Sequence, residues 1–329
     1  MKILSLLISL TFVMVAKAQY QNCYLDVEKN FSHINSQPNT VNKLRPNKYF
    51  GITEYKLAAT NKFGIDNHFQ GLSQINNGYV ISGADYKKRV GHIFVLQANG
   101  VVQKAQVGTR ANWHIGGIQA SGNIVAISLE PYKVESEQKY SILQLWDFSN
   151  IQSPTLIKNS QITNIPAYTP AAGIVRLGNG QYLIGQLSHR FELYLSNSAN
   201  LNQGINPRPI PSTQDKISAT SFSLIRQCDG KIYLVTFDNE EGKIPVPITK
   251  GKNFATLYEV AHEGRIGKGG LHIKKLNRRF FTCNRKCSFR AAGSIKNLGN
   301  GSFSIISTKM FRKYVTGQLY VAEFSPIMR

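Results

Sequence analysis

Short apolar stretches alternate with polar turn residues along most of the chain, and five segments share the order strand, tight turn, strand. Asn-Gly and Asp-Gly tolerate the positive φ angles that short hairpin turns require. The pattern therefore predicts five β-hairpins, and no segment after residue 18 has the 3.6-residue period of a helix. The predicted turns are Asn77-Gly78, Ser121-Gly122, Asn179-Gly180, Asp229-Gly230 and Asn300-Gly301.

Each predicted hairpin is followed by a third apolar segment, such as Phe191–Leu195. A more polar fourth segment follows several of these, for example Val101–Val107 and Leu271–Leu276. Repeated units of four antiparallel strands are typical of β-propeller blades. Over residues 49–325 the chain resembles the β-propeller superfamily in general, and the resemblance implies an all-β fold with a single propeller domain.

The two ends of the chain predict how such a ring closes. The last unit ends after its third strand, near Phe324, whereas an additional strand, Phe50–Leu57, precedes the first unit. We expect this N-terminal strand to complete the last of five blades. Six blades remain an alternative if residues 20–48 or 237–268 contain another one, and a β-sandwich is the alternative fold class.

The N-terminus has the pattern of a cleaved secretory signal peptide. Lys2 precedes the uncharged apolar run Ile3–Ala16, and Ala16-Lys17-Ala18 follows. The run is too short to span a bilayer comfortably. We expect a signal peptide at residues 1–18, an N-terminal arm at 19–48 and the propeller at 49–329, in a secreted or periplasmic protein.

Four cysteines, Cys23, Cys228, Cys283 and Cys287, lie after the predicted cleavage site. An even number in an exported chain favours disulfide bonds, with three pairings open. A local Cys283–Cys287 bond is the simplest, and Cys23–Cys228 would then tie the arm to the body. The spacing disfavours a zinc site, because there are no Cys-x-x-Cys pairs and no nearby histidines.

Positive charge is abundant and unevenly distributed. The chain has 39 Lys and Arg against 18 Asp and Glu, a net charge of +21, and no acidic residue lies between Gly264 and Ala322. Such a sector attracts polyanions. The expected partner is an anionic glycan, lipopolysaccharide or an acidic protein surface, with nucleic acid as a further polyanion. The residues expected to bind it are Lys274, Lys275, Arg278, Arg279, Arg285, Lys286, Arg312 and Lys313.

The first strand of each propeller blade lines the central channel, so the residues that enter these strands are candidate ligand contacts. They supply aromatic, imidazole, amide and guanidinium groups but no pair of carboxylates, which glycosidases need. We therefore expect a non-enzymatic, lectin-like or adhesin-like binding protein without a cofactor. The candidate ligand-binding residues are His68, Gln70, Trp113, His114, Tyr168 and Arg290.

The alternative is a secreted hydrolase of phosphorylated or glycosidic substrates. Asp85, Glu130 and Asp238 follow the second strands of their units, and His68 and His114 begin two first strands. These five residues are the catalytic candidates of that alternative. If the three carboxylates converge they would bind calcium, whereas the simpler interpretation is that they are solvated turn residues.

Overall fold

The computed structural model consists mainly of antiparallel β-sheets, and the residues that it describes include one short α-helix and two 3-10 helices, at Leu201–Gln203 and Glu263–Arg265. It describes residues 23–44, 67–85, 88–97, 100–109, 111–131, 140–166, 171–187, 191–210, 217, 219–240, 252–268, 271–283, 287–289, 292–308 and 319–327.

The strands of the described residues fall into five units that match the five sequence repeats. Unit 1 contains β2 (Asn67–Ile75), β3 (Gly78–Asp85), β4 (Val90–Gln97) and β5 (Gly100–Val107). Unit 2 contains β6 (His114–Ser121), β7 (Ile124–Glu130), β8 (Tyr140–Asp147) and β9 (Thr155–Pro166). Unit 3 contains β10 (Ala171–Arg176), β11 (Tyr182–Leu187) and β12 (Phe191–Leu195). Unit 4 contains β13 (Ser221–Arg226), β14 (Lys231–Glu240), β15 (Lys252–His262) and β16 (Lys274–Phe281). Unit 5 contains β17 (Gly293–Asn297), β18 (Phe303–Thr308) and β19 (Leu319–Phe324), joined by β1 (Thr40–Leu44).

Consecutive strands within each unit pair antiparallel, which confirms the predicted all-β, propeller-type fold. Each predicted turn joins the first and second strands of its unit, and the turn glycines adopt positive φ, as in Gly180 at 88°. Units 2 and 3 share a seven-stranded sheet through a parallel contact between Gly117 and Ala171.

Two strand positions differ from the sequence expectation. The predicted closing strand, Phe50–Leu57, lies outside the described residues, and β1 instead pairs antiparallel with β19. The predicted strand Leu271–Leu276 is shifted, because β16 begins at Lys274. Leu271 is buried in the core between units 3 and 4, so that segment packs against the core before the strand starts.

Helix α1 (Val27–His33) contradicts the expectation that the mature chain contains no helix. Its 7 residues make only two turns, too few for a periodic pattern to stand out. The Asp26 side chain caps it by accepting a hydrogen bond from the Lys29 N–H at 3.0 Å. Val27 and Phe31 are fully buried in a core shared with units 4 and 5.

The first strands of the units pack around a common centre. They contact one another in the order β2, β6, β10, β13 and β17, and β17 also contacts β2. Side chains bond to backbone groups across these contacts: Ala120 N–H donates to Ser73 Oγ at 2.8 Å, and Asn297 N–H to Gln74 Oε1 at 2.9 Å. Side-chain oxygens thereby pair with some of the backbone N–H groups at the edges of the first strands.

Gln119 is the most connected of these central side chains. Its Oε1 accepts hydrogen bonds from Ile174 N–H at 2.9 Å and Leu224 N–H at 2.8 Å, and its Nε2 donates to the Leu224 carbonyl at 2.7 Å. One buried amide therefore links β6 to both β10 and β13. A Cβ on the neighbouring Gly117 would lie 3.0 Å from both Ala171 and Ser221, so these strands approach as closely as glycine allows.

Units 5 and 1 meet around a buried ion pair. Lys296 Nζ donates to Glu323 Oε2 at 2.7 Å, and Ser304 Oγ donates to Glu323 Oε1 at 2.9 Å. Burial alone would lower the pKa of Lys296, because it disfavours the charged ammonium. The hydrogen bond to Glu323 and the neighbouring Tyr79 have the larger combined effect, so the pKa of Lys296 lies above its usual value. Tyr79 belongs to unit 1, and the pair therefore connects the last unit to the first.

Both expected disulfide bonds, Cys23–Cys228 and Cys283–Cys287, are present. The first ties the segment before α1 to the turn between β13 and β14, where Tyr24 also pairs with Gln227. Within the part of the chain that the structure describes, no helix has the length and apolar character needed to cross a membrane.

The two disulfides should differ in their effect on stability. Cys23 and Cys228 are 205 residues apart, and Cys283 and Cys287 are 4 apart. Chain-entropy arguments then give about 5 kcal/mol for the first bond and about 2 kcal/mol for the second. We expect the Cys23→Ser/Cys228→Ser variant to lose more unfolding free energy in urea than Cys283→Ser/Cys287→Ser. Equal losses, or the reverse order, would contradict this.

Replacing Gln119 by Met keeps the volume and removes its three hydrogen bonds. The Ile174 and Leu224 N–H groups and the Leu224 carbonyl would then be buried and unpaired, which should lower the free energy of unfolding by at least about 3 kcal/mol. Gln152→Met is the control, because Gln152 is exposed. Equal stability of both variants in urea denaturation would show that Gln119 does not hold the centre together.

Candidate functional site

One edge of the molecule collects the beginnings of the first strands and the ends of the second strands, and we call it the entry edge. His114 begins β6 and Glu130 ends β7, and the two residues pair across these strands. The His114 Nδ1 and Glu130 Oε1 atoms are 2.6 Å apart. Both residues are buried, with relative exposures of 6% and 9%, so the carboxylate is held against the imidazole away from bulk water.

The pleat of β7 decides which way this pair faces. Leu129 packs in a core with Ile93 of unit 1, whereas Ala126 packs in a core with Ala172 of unit 3. Alternate residues of a strand lie on the same face, so Glu130 is on the same side as Ala126. The His114–Glu130 pair therefore faces the interface between units 2 and 3.

Unit 3 contributes a second carboxylate, Glu192, near the entry edge, together with two hydrogen-bond donors. Glu192 Oε2 accepts hydrogen bonds from Tyr194 Oη at 2.8 Å and from Gln186 Nε2 at 2.5 Å. Burial, and after it the hydrogen bond and charge of Glu192, raise the pKa of Tyr194, so this phenol stays protonated as a donor. Two hydrogens thus point at one carboxylate oxygen.

These contacts face the same interface as the His114–Glu130 pair. Tyr194 and Ile184 belong to the core that also contains Ala126 of unit 2. Gln186 is two residues after Ile184 and so lies on its face of β11, and Glu192 shares the face of Tyr194 on β12. Two carboxylates from adjacent units therefore face one interface near the entry edge.

Two buried polar atoms on this interface have no hydrogen-bond partner among the described residues. They are Gln186 Oε1 and Ser141 Oγ. Ser141 lies on the same face of β8 as Leu143, which packs in the core between units 2 and 3. Unpaired buried acceptors and donors are uncommon in native proteins. Here they offer hydrogen-bonding capacity beside the two carboxylates.

The other carboxylates expected at the site have different partners. Asp85 is buried, and its Oδ1 accepts the Lys88 N–H at 3.0 Å inside a tight turn. Asp238 Oδ1 lies 3.5 Å from Arg278 Nη2 on the outer strand of unit 4. Across the described ranges, no group of three or more His, Cys, Asp or Glu is arranged to hold a metal ion, and calcium binding stays a prediction.

The residues expected to contact a ligand at the channel mouth are only partly described. Trp113 is buried and packs edge-on against His114, with ring centroids 5.9 Å apart. Gln70 lies at an irregularity in β2, and its Oε1 is buried without a partner among the described residues. His68 pairs with Ala84 in the β2–β3 register. Tyr168 and Arg290 lie outside the described residues.

The expected polyanion-binding residues divide in a similar way. Lys274 and Lys275 are exposed on β16, and Arg278 stacks over the Phe254 ring at 3.9 Å. Arg279 donates from Nη1 to the Phe31 carbonyl at 2.6 Å, and its partial burial lowers its pKa, so it helps to hold α1 in place. Polyanion binding stays a prediction. The residues Arg285, Lys286, Arg312 and Lys313 lie outside the described ranges.

Sequence reasoning missed Glu192, Gln186 and Tyr194. The available signal was one charged residue among apolar ones in Phe191–Leu195, since a carboxylate in a predicted apolar strand needs polar partners. Its partners come from unit 3 itself. That Glu192 faces the same interface as Glu130 depends on how units 2 and 3 pack, and no local pattern specifies that packing.

No protein-family model and no curated protein sequence matches the chain. Among solved structures, a thermostable family-43 glycoside hydrolase is similar at 10% identity and a TM-score of 0.46, over 83% of this chain and 94% of that one. A glycosyl hydrolase from Bacteroides ovatus has 10% identity and a TM-score of 0.41, over 93% and 94%. Glutaminyl cyclase from Myxococcus xanthus has 9% identity and a TM-score of 0.39, over 80% and 93%. At these identities the likeness concerns the fold.

The expectation of a non-enzymatic binding protein is wrong. It depended on the absence of paired carboxylates at the channel mouth, whereas Glu130 and Glu192 both face the interface of units 2 and 3. The hydrolase alternative is therefore retained. Its candidates Asp85 and Asp238 are engaged elsewhere, and Glu192 was not among them.

The His114–Glu130 pair should behave as a coupled unit in stability measurements. His114→Leu leaves the buried Glu130 carboxylate without its partner, which should cost about 3 kcal/mol of unfolding free energy. The His114→Leu/Glu130→Leu double variant should lose less unfolding free energy than His114→Leu alone, because it no longer contains an unpaired buried carboxylate. Urea denaturation of both variants checks this, and a double variant that loses as much unfolding free energy as His114→Leu, or more, would contradict the coupling.

Proposed function

We propose that the protein is an exported glycoside hydrolase whose five units form a closed five-bladed β-propeller. The observation that carries the activity is the pair of carboxylates, Glu130 and Glu192, facing one interface near the entry edge. Glycoside hydrolysis uses two carboxyl groups, one that protonates the leaving oxygen and one that acts as base or nucleophile.

Contacts between the last and first units support the closed ring. Strand β17 contacts β2, and the Gln74–Asn297 hydrogen bond links them. The buried Lys296–Glu323 pair adds a second link to unit 1 through Tyr79. Strand β1 gives unit 5 a fourth strand by pairing with β19. Each of these contacts is expected when the two ends of a propeller meet.

The partners of the two carboxylates support different roles. Glu130 Oε1 lies 2.6 Å from His114 Nδ1, and this pair is assigned the role of the acid: the Glu130 carboxyl group gives a proton to the glycosidic oxygen as its bond to the anomeric carbon breaks, and the imidazole stabilises the carboxylate that remains. Glu192 only accepts hydrogens in its contacts with Tyr194 and Gln186, which suits a base. It takes the proton of the attacking water, whose oxygen forms the new bond to that carbon.

Two features support export. Both disulfides are of the kind that persists in oxidising compartments. The segment at residues 1–18 has the pattern of a signal peptide and lies outside the described residues.

Hydrolysis should be tested on 4-nitrophenyl glycosides and on neutral and acidic polysaccharides, with reducing-end release as the readout. We expect Glu130→Gln and Glu192→Gln each to lower kcat/KM by about 10²–10⁴-fold, as loss of a general acid or base does. Asp147→Asn is the matched control, because the Asp147 Oδ1 atom accepts the Ser149 N–H at 2.7 Å and an amide oxygen can take its place in that hydrogen bond.

Three results would contradict the proposal. They are release of product from 4-nitrophenyl phosphate alone, full activity in both glutamine variants, and equal losses in Asp147→Asn. Circular dichroism and thermal melting of each variant separate loss of chemistry from loss of fold.

A further inference from the structure

A cavity of about 420 Å³ lies in unit 1, outside the two-carboxylate site. The turn that leads into β4 contributes Lys88 and Arg89, and the end of β5 contributes Gln106. Thr109, in the connection to β6, completes the polar lining. Its volume is within the range of small-molecule sites. Strand β3 ends and β6 begins on either side of it, so the cavity belongs to the entry edge.

The turn is built to present two cations side by side. Asp85 Oδ1 accepts the Lys88 N–H at 3.0 Å, and its Oδ2 lies 3.9 Å from the Lys88 ammonium, whose side chain is 60% exposed. Arg89 adopts a φ of 54°, which side chains rarely accept. Residues held in such conformations concentrate at functional sites.

The polar groups that line the cavity favour a negatively charged ligand. It offers an ammonium, a guanidinium, an amide and a hydroxyl, and no acidic side chain is among its described lining residues. Asp85 is the nearest carboxylate in sequence, and it is buried beneath the turn. Arg and Lys together bind carboxylate, sulfate or phosphate oxygens through charge-assisted hydrogen bonds.

A short rigid connection joins this cavity to His114. Thr109 N–H donates to the Asn112 carbonyl at 2.9 Å, and Asn112 N–H donates to Thr109 Oγ1 at 3.1 Å. Asn112 Nδ2 donates in turn to the Tyr140 carbonyl of unit 2 at 2.7 Å. The chain advances five residues from Thr109 to His114. Their Cα atoms are therefore at most about 18 Å apart.

We infer that the Lys88–Arg89 cavity binds the anionic group of an acidic sugar unit, which makes an acidic polysaccharide the substrate class. The substrate assignment rests on the proposed hydrolase function, whereas anion binding at the cavity stands on the lining itself. A chain held at the cavity by one charged unit extends along the entry edge toward His114 and Glu130.

Binding is measured on the full-length protein by isothermal titration calorimetry with glucuronic acid, glucose 6-sulfate and glucose. Both anions should bind with an affinity that falls as salt rises, and glucose should bind at least about tenfold more weakly. The stronger of the two anions identifies the charged group as carboxylate or sulfate. Equal binding of glucose and both anions would overturn the inference.

Two variants locate the site. Lys88→Ala and Arg89→Gly should each weaken anion binding about tenfold, the effect of one lost charge-assisted hydrogen bond. Glycine accepts a φ of 54°, so Arg89→Gly should melt at the same temperature as the wild type or higher, and its loss of binding is not a loss of fold. Lys158→Ala removes the same charge from the exposed part of β9 and is the control. Unchanged binding in Arg89→Gly would overturn the inference.

The two proposals fail separately. Anion binding that needs Lys88 and Arg89, in a protein that hydrolyses no glycoside, would refute the hydrolase function and leave the cavity as an anion site. Hydrolysis that needs Glu130, with no preference for acidic over neutral polysaccharides and no anion binding, would refute the cavity assignment alone.

Discussion

The structure depends on satisfying the free edges of the first strands where the units meet at the centre. A strand edge presents unpaired N–H and carbonyl groups, and burying them without partners is costly. Gln119 meets this requirement for β10 and β13, and Ser73 and Gln74 do so for β6 and β17. Side chains from one unit thus make hydrogen bonds that a further strand would otherwise make at the edge of the neighbouring unit.

The packing at the centre also determines where the molecule has space for a functional site. The strands approach so closely at Gly117, Ala171 and Ser221 that no larger side chain fits between them. Gln119, two residues after Gly117, fills the adjacent part of the centre. Polar groups with unfilled hydrogen-bonding capacity lie instead toward the entry edge, between units 2 and 3. There Glu130 and Glu192 are held by neighbours from their own units, so each unit pre-positions one carboxylate.

The parts of the fold that follow from local chemistry were predictable, and the parts that follow from distant packing were not. The turn glycines, such as Gly180, indicate hairpins because a tight turn requires positive φ, and this requirement depends only on the residues of the turn. The identity of the strand that pairs with β19 was not predictable, since that pairing depends on a partner nearly 280 residues away from β1. His114 and Glu130 were identified as candidates, but their contact was not. Glu192 became a candidate only when the packing of units 2 and 3 was known.

The central claim is that two carboxylates from adjacent units act in one reaction. A double-mutant cycle on kcat/KM, using Glu130→Gln, Glu192→Gln and the double variant on the best glycoside substrate, tests it most directly. Residues that act as a unit give strongly non-additive losses, so the double variant should be little worse than the poorer single variant. Losses that multiply, or a single variant with full activity, would contradict the account.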